Sequence, residues 1–294
     1  MSLSRKVLNL KLEAALAMRH ARGWERLIEL HGEEKATAFY TSLGLNHLEK
    51  KSIEWEGLTL SREPKEHEKI AIKGIAGAQE SARESITTIL LDLRAQLISD
   101  GLSAIRKLDP PAYHELILQT PASIRTTLRD RLVKIHRQGR MLVAAELGKK
   151  ADLPTDEFDD LDLLTDLTDA RVVNDVQSRI IAAAARYSLL GQTGQGLIQA
   201  VTNEVNTGSV SYIDRAATGL ANKVISIGRG DEAEARRDEW ERVEYSAILD
   251  QNVCGPCAAE DGTEAESEED LQPAPNPECE GGDRCRCFHV FVTV

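Results

Sequence analysis

Apolar residues recur at helical spacing over most of this chain and switch to strict alternation near its C-terminal end. Val7, Leu10, Ala14 and Ala17 share one helical face, and Trp24, Leu27, Ile28 and Leu30 continue the pattern. Between Gly44 and Pro64 the periodicity fades, and the sequence assigns no element there. From Glu68 to Leu108 it predicts a long helix, because Ile86, Ile89, Leu90, Leu93 and Leu97 form one stripe. Asp109-Pro110-Pro111 ends it, since proline lacks the amide donor and restricts the residue before it. A second helix is predicted from Pro121 to Leu147, capped at Thr120 or Ser123, with Ile124, Leu128, Leu132, Ile135 and Leu142 inward.

Gly148 to Asp160 reads as a boundary of glycine, proline and acids. A third helix follows from Asp160 to Leu190, with Val172, Val176, Ile180 and Ala184 on one face, until the glycines of Gly191–Gly196 break it. Two shorter helices are predicted at Leu197–Asn206 and Tyr212–Ile227, and another across Glu232–Arg242. Then the period changes. Val243, Tyr245, Ala247 and Leu249 alternate with Glu244, Ser246, Ile248 and Asp250, and Phe288, Val290, Val292 and Val294 alternate with His289, Phe291 and Thr293. Two strands are expected, with whatever lies between them carried as a loop.

What lies between them is all five cysteines of the chain, from Cys254 to Cys287. An odd number in one short span argues for metal or redox chemistry rather than a disulfide framework. Cys254-Gly-Pro-Cys257 offers two thiolates to one ion, and a second pair across a hairpin completes a tetrahedral zinc site. Cys254, Cys257 and Cys279 are the forced choices. Cys285 and Cys287 have the same strand parity and compete for the fourth position; Cys285 is favoured as nearer the loop, with Cys287 as the alternative or a packed thiol. His289 shares that parity and reads better as a packed side chain than as a ligand. A thioredoxin-like use of the CxxC pair expects it to open a helix inside a βαβ unit, and the sequence here has no such unit. Four thiolates would close the coordination sphere, so the site reads as structural and the chain as no enzyme.

The fold class expected is therefore mainly α: an elongated helical body with a small C-terminal β module stapled by Zn2+. The regions expected are 1–150 and 151–242, both helical, and 243–294, the zinc-binding module. A module that small has little core of its own, and a metal supplies what burial does not.

Charge sharpens this picture. The whole net charge of −12 resides in residues 243–283, which hold 12 acids and no Lys or Arg, so the module is ill suited to grip phosphates. The rest of the chain balances. Within it, Arg125, Arg129, Arg131, Lys134, Arg137, Arg140, Lys149 and Lys150 face only Asp130 and Glu146 between Ile124 and Lys150. Of these, Arg125, Arg129, Lys134, Arg137 and Arg140 are candidate DNA contacts. The competing reading, which the sequence favours, pairs this face with the eight acids between Asp152 and Asp169. No run of about 18 apolar residues exists to span a membrane. Lys11 and Glu13 interrupt any signal-peptide core, so synthesis and folding are expected in a cytoplasm.

One resemblance follows from the cysteine segment. Tyr245-Ser-Ala-Ile-Leu-Asp250-Gln-Asn-Val-Cys254-Gly-Pro-Cys257-Ala-Ala-Glu-Asp261-Gly262, then Pro275-Asn-Pro277-Glu-Cys279 and Arg284-Cys285-Arg286-Cys287, resembles the C-terminal signature of phage minor head proteins, the Mu F-like head-morphogenesis family. The likeness covers about 50 residues. Cys279 stands where the family pattern carries a histidine, and the family's Arg-Thr-Glu triplet is absent. The resemblance implies a minor capsid protein in the head interior or at the portal vertex of the virion, made in the host cytoplasm. Its implied partners are the phage portal protein and the major capsid protein, with packaged DNA as a further contact and roles in head assembly and genome packaging or ejection. The alternative reading is a zinc-ribbon nucleic-acid-binding protein, which expects basic residues around the metal.

Overall fold

A computed structural model describes residues 53–151, 153, 158–207, 210–249 and 253–293. The predicted helix face around Val7–Leu30 lies outside the described residues. The chain enters through a hairpin, β1 (Ile53–Trp55) and β2 (Leu58–Leu60), whose two-residue turn places Glu56 at φ 47° and Gly57 at φ 83°. Positive φ at both positions is the turn geometry that matches strand twist.

Five helices follow: α1 (Glu68–Ile105), α2 (Ala122–Glu146), α3 (Asp159–Leu189), α4 (Gly194–Thr207) and α5 (Val210–Ala235). Among the described residues none is long and apolar enough to cross a membrane. One core joins them: Ile86, Leu90, Leu93 and Leu97 of α1 pack with Leu128 and Leu132 of α2, Val176 and Ile180 of α3, Val201 of α4 and Ala217 and Val224 of α5. At about 25 cal/mol per Å2 of buried apolar surface, burial of such a stripe is a main stabilising contribution to the bundle. α3 stops as expected, at Gly191 with φ 81°, where the Gln192 amide bonds the Tyr187 carbonyl 3.0 Å away.

α5 departs from expectation. The sequence predicts two helices here, Tyr212–Ile227 and another across Glu232–Arg242, yet one helix runs unbroken through Gly228 and Gly230 to Ala235. A Cβ at Gly228 would lie 2.1 Å from the His136 carbonyl oxygen of α2, and one at Gly139 would lie 2.4 Å from the Ile225 oxygen of α5. These glycines let two helix backbones approach, rather than ending one.

The sheet is antiparallel in the order β4–β3–β5, with β3 (Arg242–Ser246) between β4 (Glu264–Ala265) and β5 (Phe288–Val292). Tyr245 pairs with His289 and Ser246 with Phe288. Both faces are covered. Val243, Tyr245 and Phe291 pack with Val143 of α2, with Leu147 just past its end and with Ala233 of α5. Phe288 and Val290 pack with Ile72, Ile75 and Ala76 of α1 and Leu60 of β2. The small core expected of residues 243–294 is thus extended by α1, α2 and α5, so burial against the helices helps to hold the sheet.

Asp169 on α3 is buried, and its Oδ1 has no hydrogen-bond partner. Burial pushes its carboxyl up to about 6; Arg125 offsets this in part and Asp166 adds to it. In the unfolded chain the group titrates near 3.9, so the folded state holds the proton more tightly and loses stability as pH rises through that window. Asp169→Asn is expected to stabilise the protein by about 2–3 kcal/mol at pH 7.5 and by almost nothing at pH 4. Urea midpoints at the two pH values check this; equal shifts at both would refute it.

Candidate metal centre

The cysteines come from the two connections of the sheet. After β3, Cys254 sits at the N-cap of the short helix α6 (Gly255–Glu260), its carbonyl accepting the Ala258 amide at 2.9 Å, and Cys257 follows in the first turn. Proline at the second helical position suits that start, because its missing amide is not needed there. After β4, Cys279 and Cys285 flank a 3-10 turn, Gly282–Arg284, with the Cys279 carbonyl accepting the Gly282 amide and Cys285 donating to Gly282. Asn222 of α5 reaches across to donate to the Cys285 carbonyl at 2.6 Å, which fixes this loop on the bundle.

All five sulfurs converge. Cys254 and Cys279 lie 3.6 Å apart, and Cys257 and Cys285 lie 3.9 Å apart. Sulfurs on a tetrahedral zinc stand about 3.8 Å apart, given bonds of about 2.3 Å. Two triads have every sulfur within 4.8 Å of the others: Cys254, Cys257 and Cys279, and Cys257, Cys285 and Cys287. Cys257 belongs to both. The clustered cysteines could therefore hold a metal ion. The CxxC pair does open a helix, yet the strands beside it are antiparallel and the Cys254 sulfur also stands 3.6 Å from Cys279.

The electrostatics of the thiols differ. Burial pushes Cys257 well above the usual thiol range, and burial together with Cys285 pushes Cys279 up to about 12. Cys285 is pulled down to about 5, first by a hydrogen bond with Cys287 and then, against burial, by the amides of Cys287 and Asn276. Amides aimed at sulfur are what a thiolate ligand needs once buried, because they disperse the charge that the ion leaves uncompensated. Tyr245 is fully buried, and its phenol lies against Cys287; burial, then the charge of that thiol, raises it above the ordinary value.

The ring nitrogens of His289 are engaged elsewhere: Nδ1 meets Glu268 Oε1 at 2.7 Å and Nε2 meets the Gln272 carbonyl at 2.9 Å. Both ring nitrogens are occupied, so it is a packed side chain.

A clasp that the sequence did not reveal ties the metal loop to the start of α1. Arg62 grips Glu68 through two bonds of 2.7 Å and Asp261 through bonds of 2.7 and 3.1 Å, while Ser246 donates to Glu68 at 2.9 Å. Burial opposes the Glu68 charge, but Arg62, the Lys65 amide and Ser246 together hold its carboxyl below the usual range. Glu244, also fully buried, receives Lys65 Nζ at 2.6 Å and faces His67 Nε2 at 2.9 Å. The distance of Asp261 from Arg62 in sequence hides the partnership.

Of the candidate DNA contacts, Arg125 pairs with Asp166 and Arg129 with Asp162, both on α3. Arg140 is buried against Glu232 of α5 at 2.8 Å, and Arg137 lies 5.8 Å over the Phe158 ring. Lys134 is exposed. Three of these five cations therefore have carboxylate partners inside the chain, which favours the internal-partner reading of this stretch. No family model matches the chain, and no curated protein or solved structure does.

Proposed function

We propose that this chain is a structural minor head protein of a tailed bacteriophage, in which one zinc ion staples the loops between β3 and β5 to a helical body. The observation that carries the staple is the convergence of the thiols at zinc–thiolate spacing on a sheet already packed against α1, α2 and α5. Cys254, Cys257, Cys279 and Cys285 are the four ligands proposed. Cys285 is preferred to Cys287 because two backbone amides face its sulfur. Four thiolates leave the ion no position for water, so the proposed role is mechanical rather than catalytic.

The assembly role is supported by the resemblance of Tyr245–Cys287 to the head-morphogenesis signature. On that resemblance the proposed location is the virion, in the head interior or at the portal vertex, with portal protein and major capsid protein as the proposed partners. A nucleic-acid-binding ribbon is less favoured, since the cysteine loops carry no Lys or Arg between Arg242 and Arg284.

Two measurements test the reading. Elemental analysis of protein purified without added metal is expected to find about one equivalent of zinc; less than about a tenth would refute the staple. Mass spectrometry of purified mature heads is expected to find the chain, and its absence from the particle would refute the assembly role.

A further inference from the structure

We propose that the five thiols form two overlapping coordination sets, so that Cys287 takes over from Cys254 and Cys279 in holding the ion when a peroxide joins that pair as a disulfide. This rests on the zinc reading above. Cys254 and Cys279 are the two partly exposed cysteines, and their sulfurs, 3.6 Å apart, are closer than the Cys257–Cys285 pair at 3.9 Å. Cys257, Cys285 and Cys287 are all buried and lie within 4.8 Å of one another. Cys257 lies in both triads and Cys285, 3.9 Å from it, is a ligand in both proposed sets, so the change exchanges two partly exposed cysteines for one buried one. A four-thiolate site has no need of a fifth cysteine; the second set gives Cys287 a purpose. Tyr245 stands beside it as a buried hydroxyl able to donate to the sulfur once it is a thiolate.

The chemistry balances. The Cys254 sulfur attacks one peroxide oxygen, the O–O bond breaks, and the departing hydroxide takes a proton to become water. The Cys279 sulfur then attacks the resulting sulfenic acid, forming the S–S bond and releasing the second oxygen as water after another proton is taken up. Two electrons pass from the sulfurs to the peroxide. Cys287 gives up its thiol proton as it becomes a ligand, which supplies one of the two protons. The CxxC spacing offers a different disulfide, Cys254–Cys257, and that one would destroy both sets, because Cys257 is their shared corner.

The full chain loaded with one equivalent of zinc, treated with equimolar hydrogen peroxide, separates these outcomes. Released zinc is read with a chromogenic chelator, and the disulfide is located by mass mapping after alkylation. The expected result is a Cys254–Cys279 disulfide with zinc still bound in the wild type, and the same disulfide with stoichiometric zinc loss in Cys287→Ser. A Cys254–Cys257 disulfide, or equal zinc loss from both proteins, overturns the inference. Cobalt-loaded wild type gives a second readout independent of that variant: its visible bands are expected to shift from a four-thiolate to a three-thiolate pattern on oxidation, and their complete loss overturns the exchange. Zinc content before peroxide tests the underlying reading separately, since a protein with no zinc at the outset refutes the staple itself.

Discussion

Cys257→Ala is expected to cut bound zinc from about one equivalent to less than a tenth, and to lower the melting temperature by on the order of 10 °C. Cys257 is fully buried and is the one thiol shared by both triads, so its loss leaves no set of three sulfurs close together. The segment between β3 and β5 is held by few strand contacts of its own, because β4 has only two residues. Without the ion that segment is expected to become the first site of proteolysis. Far-UV circular dichroism is expected to keep its helical signal, since the bundle core contains no cysteine, and β3 and β5 also pack on α1, α2 and α5. Full zinc retention in this variant would refute the ligand assignment. Loss of all helical signal would show instead that sheet and bundle unfold as one cooperative unit.

Arg229→Met is expected to destabilise the protein by about 3–5 kcal/mol. Arg229 is almost fully buried on α5, where it forms a two-pronged ion pair with Glu146 of α2 and donates to the His289 carbonyl of β5 at 2.6 Å. Its guanidinium also lies 5.9 Å and 5.8 Å from the ring centres of Phe288 and Phe291. Methionine keeps much of the volume but strands the Glu146 carboxylate in a buried place, and that uncompensated charge is the larger part of the cost. The double variant Arg229→Met, Glu146→Leu is expected to recover most of the loss, because a buried ion pair replaced by apolar groups is often close to neutral. Chemical denaturation of the single and double variants decides it. A single variant within about 1 kcal/mol of wild type would show that Glu146 finds another partner or water.

The helices were legible because each buries a stripe with the spacing that its own geometry demands. Ile86, Ile89, Leu90, Leu93 and Leu97 identify α1 without any knowledge of its partners, and all five are buried. The hairpin Ile53–Leu60 was not legible: Glu56-Gly57 is a weaker turn signal than Asn-Gly, and strands of three residues show too little alternation to read. The glycines of α5 misled for a different reason. Gly228 looks like a helix stop in isolation, and only the α2 backbone beside it reveals that the missing Cβ serves close packing.

For the site, clustering, cysteine count and flanking alternation by themselves determined that five thiols belong to one β-framed module and that metal chemistry is the reading to test. Those are local properties, written within about 50 consecutive residues. Which sulfurs are neighbours was decided by tertiary structure alone. Cys254 and Cys279 are 25 residues apart, yet their sulfurs stand 3.6 Å from each other, because the two connections of the antiparallel sheet fold over the same end of β3. The same holds for the charges. The row of bases on α2 was visible in sequence, but their carboxylates come from two helices, Asp162 and Asp166 on α3 and Glu232 on α5. An apolar stripe announces burial to any partner of the right period, whereas an ion pair or a ligand set needs particular atoms at particular distances, and only the packed chain supplies those.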